Sequence, residues 1–480
     1  MPAEEPAPGL VEFSIMRHKL VIIGAGFCGT VLAAKLLRRP PSVPTDVILV
    51  ERGTDTGRGV AYAERPFPYL LNVPAARLSA DAGDPLQFLR FARRRLPHTD
   101  GEDFLPRALY GDYLQEVLLL AERSAPAHVR LVRVFDEVRA VTRRAGAQPL
   151  AAEFADRPAL LADRIILALG NPPSALPPWA AAIRHHPAYR HDPWAARQAL
   201  SAQQCVLIVG NGLTMADVVA SLSRDAARSP MIMTISRRGL LPQQQTVFRA
   251  SAAHAAHETL LESAHSIRLL LASVRRLARE AEDAGGDWRE VVTLVRHWAP
   301  TLWRRLPEAE RRRFVRHLQS HWDVHRHRMP PTLAEHIAAL RAGGRLQVHA
   351  GRILAVMPAE GDRLQVSWRA RGAGPTRRLS VDLMINATGA DFALERSVDP
   401  LMRSLRTSGL VSPDALNLGL RTGDHGACVD AQGASSDTLF YLGPMLRADH
   451  WEATAATELR DHAERLAAHL AGTAAHEPAH

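Results

Sequence analysis

Lysine is nearly absent from this chain. Of 59 basic residues only Lys19 and Lys35 are lysines, against 50 acidic residues, for a net charge of +9. A nucleic-acid or membrane surface would call for a basic tail or cluster. The arginines are instead scattered along helical stretches and read as a solvated face, so neither nucleic acid nor a membrane is expected as a partner. An anionic small molecule remains compatible. Cysteine is equally scarce: Cys28, Cys205 and Cys428 lie far apart, with no CxxC. That excludes a disulfide scaffold and a dithiol redox centre and fits a reducing cytoplasm. No stretch reaches 18 uninterrupted apolar residues, and the acidic, proline-rich start MPAEEPAPGLVEFSIMRH has no secretory pattern, so a soluble, unprocessed protein is expected. With 480 residues, 46% hydrophobic and 23% charged, the chain has material for two or three domains.

What is present begins with KLVIIGAGFCGTVLAAKLLRR. An apolar run, Leu20 to Ile23, leads into Gly24-x-Gly26-x-x-Gly29 and then a helical pattern. Gly24 permits a tight turn, Gly26 lets backbone approach a pyrophosphate, and Gly29 lets the helix pack on the strand, with the helix N-terminus facing the anion. A second strand, DVILVE, ends in Glu51, where an acid would grip a ribose hydroxyl. Cys28, inside the turn, reads as a packing residue.

The pattern recurs in CVLIVGNGLTMADVVASL, with Gly210 and Gly212 in the phosphate-facing positions, Thr214 in the helix start, and Met215 where the third glycine would stand. The strand that follows, MIMTIS, runs into Ser236, Arg237 and Arg238 rather than an acid. Arginine there can pair with a 2′-phosphate, which suggests NADPH without excluding NADH. A chain with two dinucleotide sites normally holds FAD in one and receives a hydride from a nicotinamide in the other. Without a CxxC the electrons have no dithiol to reach, and oxygen is the simplest acceptor.

These motifs, with GRGVAY (57–62), LLNVPA (70–75), FLPRALYGDYL (104–114), LALGNPP (167–173), SRRGLLP (236–242), HWDVHRHRMPP (321–331), INATG (385–389) and LGPMLRADHWEATAATELR (442–460), resemble the FAD/NAD(P)-binding flavoprotein monooxygenases with two dinucleotide-binding domains. The likeness covers almost the whole chain. It implies an α/β fold of two Rossmann-like domains with a helical insertion: FAD-binding at 17–175 and 380–472, NAD(P)H-binding at 200–250 and 343–379, helices at 251–342, and disordered tails at 1–16 and 473–480. Gly24, Gly26, Gly29, Glu51, Arg58, Asn72, Gly389 and Gly443 would serve FAD, and Gly210, Gly212, Thr214, Arg237 and Arg238 the nicotinamide co-substrate. INATG would return the chain to the FAD domain. Where many flavoproteins have Asp after the late glycine, this chain has Pro444.

The resemblance implies hydroxylation of a small electron-rich substrate with NAD(P)H and O2 through a C4a-hydroperoxyflavin. Urate to 5-hydroxyisourate, in purine catabolism, is the expected reaction. N-hydroxylation of an amino acid or amine, or NAD(P)H-dependent flavin reduction, are the alternatives. HWDVHRHRMPP looks at first like a metal motif, but its arginines would repel a cation and no Cys or Glu completes a set, so no metal is expected. Two readings stay open: a helix end with Asp323 paired locally, or a site in which Arg326 and Arg328 hold an anionic substrate and His325 manages a proton.

Overall fold

The computed structural model describes residues 17–145, 149–195, 200–247, 257–372 and 374–472; the tails expected at 1–16 and 473–480 lie outside these. Aliphatic runs without polar alternation suit strands buried on both faces, and one such sheet is built around His18–Ile23. Its six strands lie in the order Ala427–Val429, Ser435–Tyr441, Arg164–Leu167, His18–Ile23, Thr45–Glu51, Val129–Phe135. All neighbours are parallel except the outermost pair, Ala427–Val429 with Ser435–Tyr441. Leu20, Val21, Ile22, Val47 and Leu49 are fully buried. The helix Phe27–Arg38 packs between Arg107–Arg123 and Ala456–Ala471.

A second sheet of seven strands has the order Thr376–Val381, Arg363–Ala370, Leu346–Ala359, Met231–Ser236, Cys205–Val209, Leu383–Asn386, Tyr189–Arg190. Its membership corrects one expectation. The strand of INATG pairs in parallel with Cys205–Val209, Met384 opposite Leu207, so it belongs to this second sheet and the chain crosses back only after it, not at residue 380. The two sheets have separate apolar cores: Leu20, Ile166 and Phe440 fall in one, while Leu207, Ile208, Trp368 and Ile385 fall in cores of the second unit.

Helices His257–Ser263, Ile267–Asp283, Trp288–Arg305, Glu308–His317, Gln319–Arg326 and Pro331–Ala342 precede the strand Leu346–Ala359. Local chemistry sets their ends. Gly285, at φ +78°, turns the chain after Ile267–Asp283, and Asp287 then caps the next helix by accepting a hydrogen bond from the Arg289 N–H at 2.8 Å. The helices bury Leu270, Leu277, Val291, Leu302 and Trp303 against Leu418, Ala448 and Trp451, which fastens them to the segments on either side of the first sheet's last two strands. Helix Gln319–Arg326 stops at His327. Pro331 then opens a new helix, the position where its missing N–H costs nothing. No described helix is long and apolar enough to cross a membrane.

Candidate cofactor and substrate site

The two sheets repeat one device at the carboxyl ends of their central strands, where open α/β sheets receive ligands. In the first, the Gly24 N–H donates to Val50 O at 2.8 Å and the Ala168 N–H to Ile23 O at 2.8 Å; in the second, the Gly210 N–H donates to Ile235 O at 2.9 Å and the Ala387 N–H to Val209 O at 2.8 Å. Gly24 and Gly210 have φ of +104° and +110°, and a Cβ on either would lie 2.4 Å from Ala168 O or 2.2 Å from Ala387 O. Only glycine fits there. The repeat also assigns Gly389. Two residues beyond Ala387, as Gly170 is beyond Ala168, it turns the chain at φ +90° with open space around it. Gly389 thus holds at the second turn the place that Gly170 holds at the first.

Each loop delivers the N-terminus of a helix, Phe27–Arg38 or Leu213–Leu222, whose N-cap is glycine, with no side-chain cap and no acid in the first turn. Free N–H groups and an uncompensated positive dipole end suit a pyrophosphate. The loops differ in cover. A Cβ on Gly26 would approach Gly59 Cα at 3.6 Å, because GRGVAY folds over the first turn and the Gly57 N–H donates to Ala25 O at 2.8 Å. Gly212 has nothing within 4 Å. A covered loop fits a resident cofactor; an open one fits a nucleotide that comes and goes.

Around the first loop, Glu51 Oε2 accepts the Ala25 N–H at 2.7 Å and Oε1 the Gly53 N–H at 3.0 Å, so the acid braces the turn it adjoins. Arg58 pairs with Asp112 at 2.5 Å and Asp55 at 3.3 Å, pinning GRGVAY to the helix Arg107–Arg123. Asn72 follows the bridge between Leu70 and Pro106, half-buried. Gly443 follows the strand Ser435–Tyr441 and leads into Pro444–Ala448, whose Arg447 stacks on Trp451 and Phe392. The glycine cradle, the uncapped helix and the cover over Gly26 fit the ADP half of FAD.

At the second loop, strand register puts Ser236 where Glu51 stands in the first, since Val209 faces Ile235 as Ile23 faces Val50. Arg237 is exposed and makes no hydrogen bond among the described residues. Arg238 donates to Arg316 O at 3.1 Å and His317 O at 2.8 Å, capping the helix Glu308–His317. Thr214 is half-buried in the first helical turn. Asn211, between the two glycines, was not singled out in the sequence. It is 6% exposed, and its side-chain N and O atoms have no partner. A buried amide left open in a phosphate-facing loop points to a ligand that completes it.

HWDVHRHRMPP resolves into separate roles. Arg326 Nε donates to Glu452 Oε2 at 2.7 Å, a nearly buried pair (12% and 4% exposed), and its Nη2 lies 3.9 Å from Glu458. Arg326 is thus ion-paired within the protein, with Nη2 making no hydrogen bond among the described residues, which speaks against its acting as the anion clamp. Glu452 also accepts from Trp322 Nε1 at 3.0 Å, and Arg296 donates to Glu458 at 2.5 Å. Burial pushes the Glu458 carboxyl up, but Arg296, Thr457 and Arg326 outweigh it and bring it down to about 2. His325 gives Nδ1 to His321 O at 2.7 Å and packs edge-on against Trp288, which makes it a helix-end residue rather than one aimed into a shared site. His327 is held down to about 3 by burial and neighbouring arginines. Arg328 stands apart: its Nε and Nη1 are buried without a partner, while burial, Arg289 and Arg326 lower it to about 10. Among the described residues no group of three or more His, Cys, Asp or Glu side chains could hold a metal ion.

A family model described as FAD-NAD(P)-binding matches residues 21–172, and one described as L-lysine 6-monooxygenase/L-ornithine 5-monooxygenase matches residues 97–272. The protein is an FAD-dependent monooxygenase that uses NAD(P)H. No curated protein matches the monooxygenase in sequence. Its fold is similar to that of the FAD-bound cadaverine monooxygenase of Erwinia amylovora (TM-score 0.63, 14% identity, 95% of each chain). It is also similar to L-lysine 6-monooxygenase of Pseudomonas syringae (TM-score 0.61, 18% identity, 94% of this chain and 98% of that one). A bacillithiol disulfide reductase of Bacillus cereus shares the fold as well (TM-score 0.50, 13% identity, 95% and 99%), so the likeness defines architecture and leaves the reaction to the site. None of these matches supports the urate reaction expected from the sequence.

Proposed function

We propose that this monooxygenase N-hydroxylates the primary amine of a small amino acid, with NADPH as the donor: amine, O2, NADPH and a proton give hydroxylamine, water and NADP+. The observation that carries this reading is the lysine/ornithine monooxygenase match over residues 97–272, which takes in the helix Arg107–Arg123 and the whole second glycine loop. FAD, held by Gly24, Gly26, Gly29 and the segments around Arg58, Asn72 and Gly443, supplies the passage of electrons from the nicotinamide to oxygen. The chain's own residues do the rest. Gly210, Gly212, Asn211 and Thr214 receive the dinucleotide, and Gly389 turns the neighbouring strand out of its way.

Arg237, exposed after a strand that ends in Ser236 instead of an acid, meets the 2′-phosphate. Replacing it with serine raises the KM for NADPH about 10- to 100-fold, the value of one or two charge-assisted hydrogen bonds, and leaves the KM for NADH unchanged. Equal changes for both nucleotides in steady-state assays would remove Arg237 from this role.

Arg328 decides between amino acids and simple diamines. Near it, Arg289 pairs with Asp287, Arg326 with Glu452 and Arg296 with Glu458, while among the described residues Arg328 makes no ion pair of its own and feels only the nearby charge of Asp287. A cation buried without an acceptor is costly, and a substrate carboxylate compensates it. In Arg328→Met the KM for lysine or ornithine rises about 10- to 100-fold, while that for cadaverine, which has no carboxylate, stays as in the wild type. An unchanged amino-acid KM would contradict the assignment; a raised KM for NADPH alone would move Arg328 to the nucleotide.

A further inference from the structure

Among the described residues the two nucleotide-binding units have separate apolar cores, yet an ion pair with a nearly buried acid spans them. Arg107 opens the helix Arg107–Arg123 of the first unit, and its Nη2 lies 2.7 Å from Oδ2 of Asp217 in the helix Leu213–Leu222 of the second, 110 residues away. Asp217 is nearly buried, its side chain 6% exposed against 22% for Arg107. The pair is anchored on both sides. Arg107 Nε donates to Leu70 O at 3.0 Å and its backbone N–H to Tyr69 O at 2.7 Å, inside the run that leads to Asn72. Asp217 sits on the helix whose N-terminus is the second glycine loop. Trp194, just beyond the second sheet's edge strand, wedges into the same seam. It meets Tyr69 edge-on at 5.0 Å, and the Arg65 and Arg107 guanidiniums lie over its ring at 5.0 and 5.8 Å.

We infer that Arg107 and Asp217 form a positioning clasp that sets the register between the two dinucleotide sites, with Trp194 as its wedge. Seams between domains in one chain are mobile by default unless large and apolar. Here a nearly buried Asp217 is held by one arginine, and sliding would strand its carboxylate away from that partner. It ties the backbone beside the FAD site to the helix that receives the nicotinamide dinucleotide, and productive hydride transfer depends on sub-ångström placement. The clasp acts between the two nucleotides, whatever the organic substrate.

The test uses the FAD-loaded protein without oxygen, in stopped flow. Asp217→Asn keeps the shape of the side chain and removes its charge. It slows flavin reduction by saturating NADPH at least 10-fold, while reduction by dithionite, which needs no docking, keeps the wild-type rate. The reversed pair, Arg107→Asp with Asp217→Arg, recovers reduction by NADPH to within about threefold of wild type. In the ligand-free protein, Asp217→Asn accelerates amide hydrogen exchange over residues 69–71 and 105–107. Reduction by NADPH at the wild-type rate in Asp217→Asn, or equal slowing with dithionite and NADPH, would overturn the clasp. So would unchanged exchange at the seam.

Discussion

Arg326→Met is expected to destabilise the protein by about 3–5 kcal/mol, the largest loss of any single arginine substitution considered above. The reason is Glu452 rather than Arg326 itself. Glu452 is 4% exposed, and with Arg326 gone its carboxylate keeps the Trp322 indole N–H and the nearby charges of Arg447 and Arg296 but loses its direct ion pair. A buried anion short of partners costs far more than the intact pair contributes. Two further results follow. Arg326→Met with Glu452→Leu recovers most of the loss, because an apolar pair of similar volume no longer buries a charge. Arg312→Met, which breaks the exposed pair with Glu308, changes stability by less than about 0.5 kcal/mol. Urea unfolding followed by tryptophan fluorescence measures all three. If Arg326→Met unfolds like the wild type and shows only a raised KM for the amine, Arg326 would be the substrate clamp after all.

Gly29→Ala has the second large effect, on the cofactor. A Cβ there would lie 1.9 Å from Gly24 O and 3.2 Å from the Ile22 side chain, so the helix Phe27–Arg38 must lift away from the strand that carries the loop. The turn that faces the pyrophosphate moves with it. The variant is expected to purify with less than about a tenth of the wild-type FAD content, read from the flavin-to-protein absorbance ratio. Gly212→Ala is the contrast. With nothing within 4 Å, it keeps its fold and its FAD and loses only affinity for the nicotinamide dinucleotide. A fully flavinated Gly29→Ala would show that the close approach seen here is not needed for FAD.

Both glycine loops were legible because their chemistry is local: strand, turn and helix follow one another within a few residues. The crossing back to the first sheet was misplaced because INATG and LALGN are the same device used twice, and only strand pairing tells which sheet owns which copy. Arg326 was misread for a different reason. Its partner stands 126 residues downstream, and no spacing rule connects them. The same holds for Arg107 and Asp217. Arg328 looks identical to Arg326 in the sequence, and folding separates them by giving Arg326 an ion pair with Glu452 and Arg328 no ion pair among the described residues. Asn211 carried no signal beyond its place between two glycines; its open amide emerges only from burial.

A single-turnover product analysis tests the N-hydroxylation most directly. Protein reduced without oxygen by one equivalent of NADPH is mixed with O2 and lysine, ornithine, cadaverine or urate, and the products are quantified by mass spectrometry. Lysine or ornithine is expected to give a hydroxylamine in near-stoichiometric yield with the flavin reoxidised, cadaverine little, and urate to remain unchanged. Flavin reoxidation that yields only hydrogen peroxide with every amine, or 5-hydroxyisourate from urate, would contradict the N-hydroxylation.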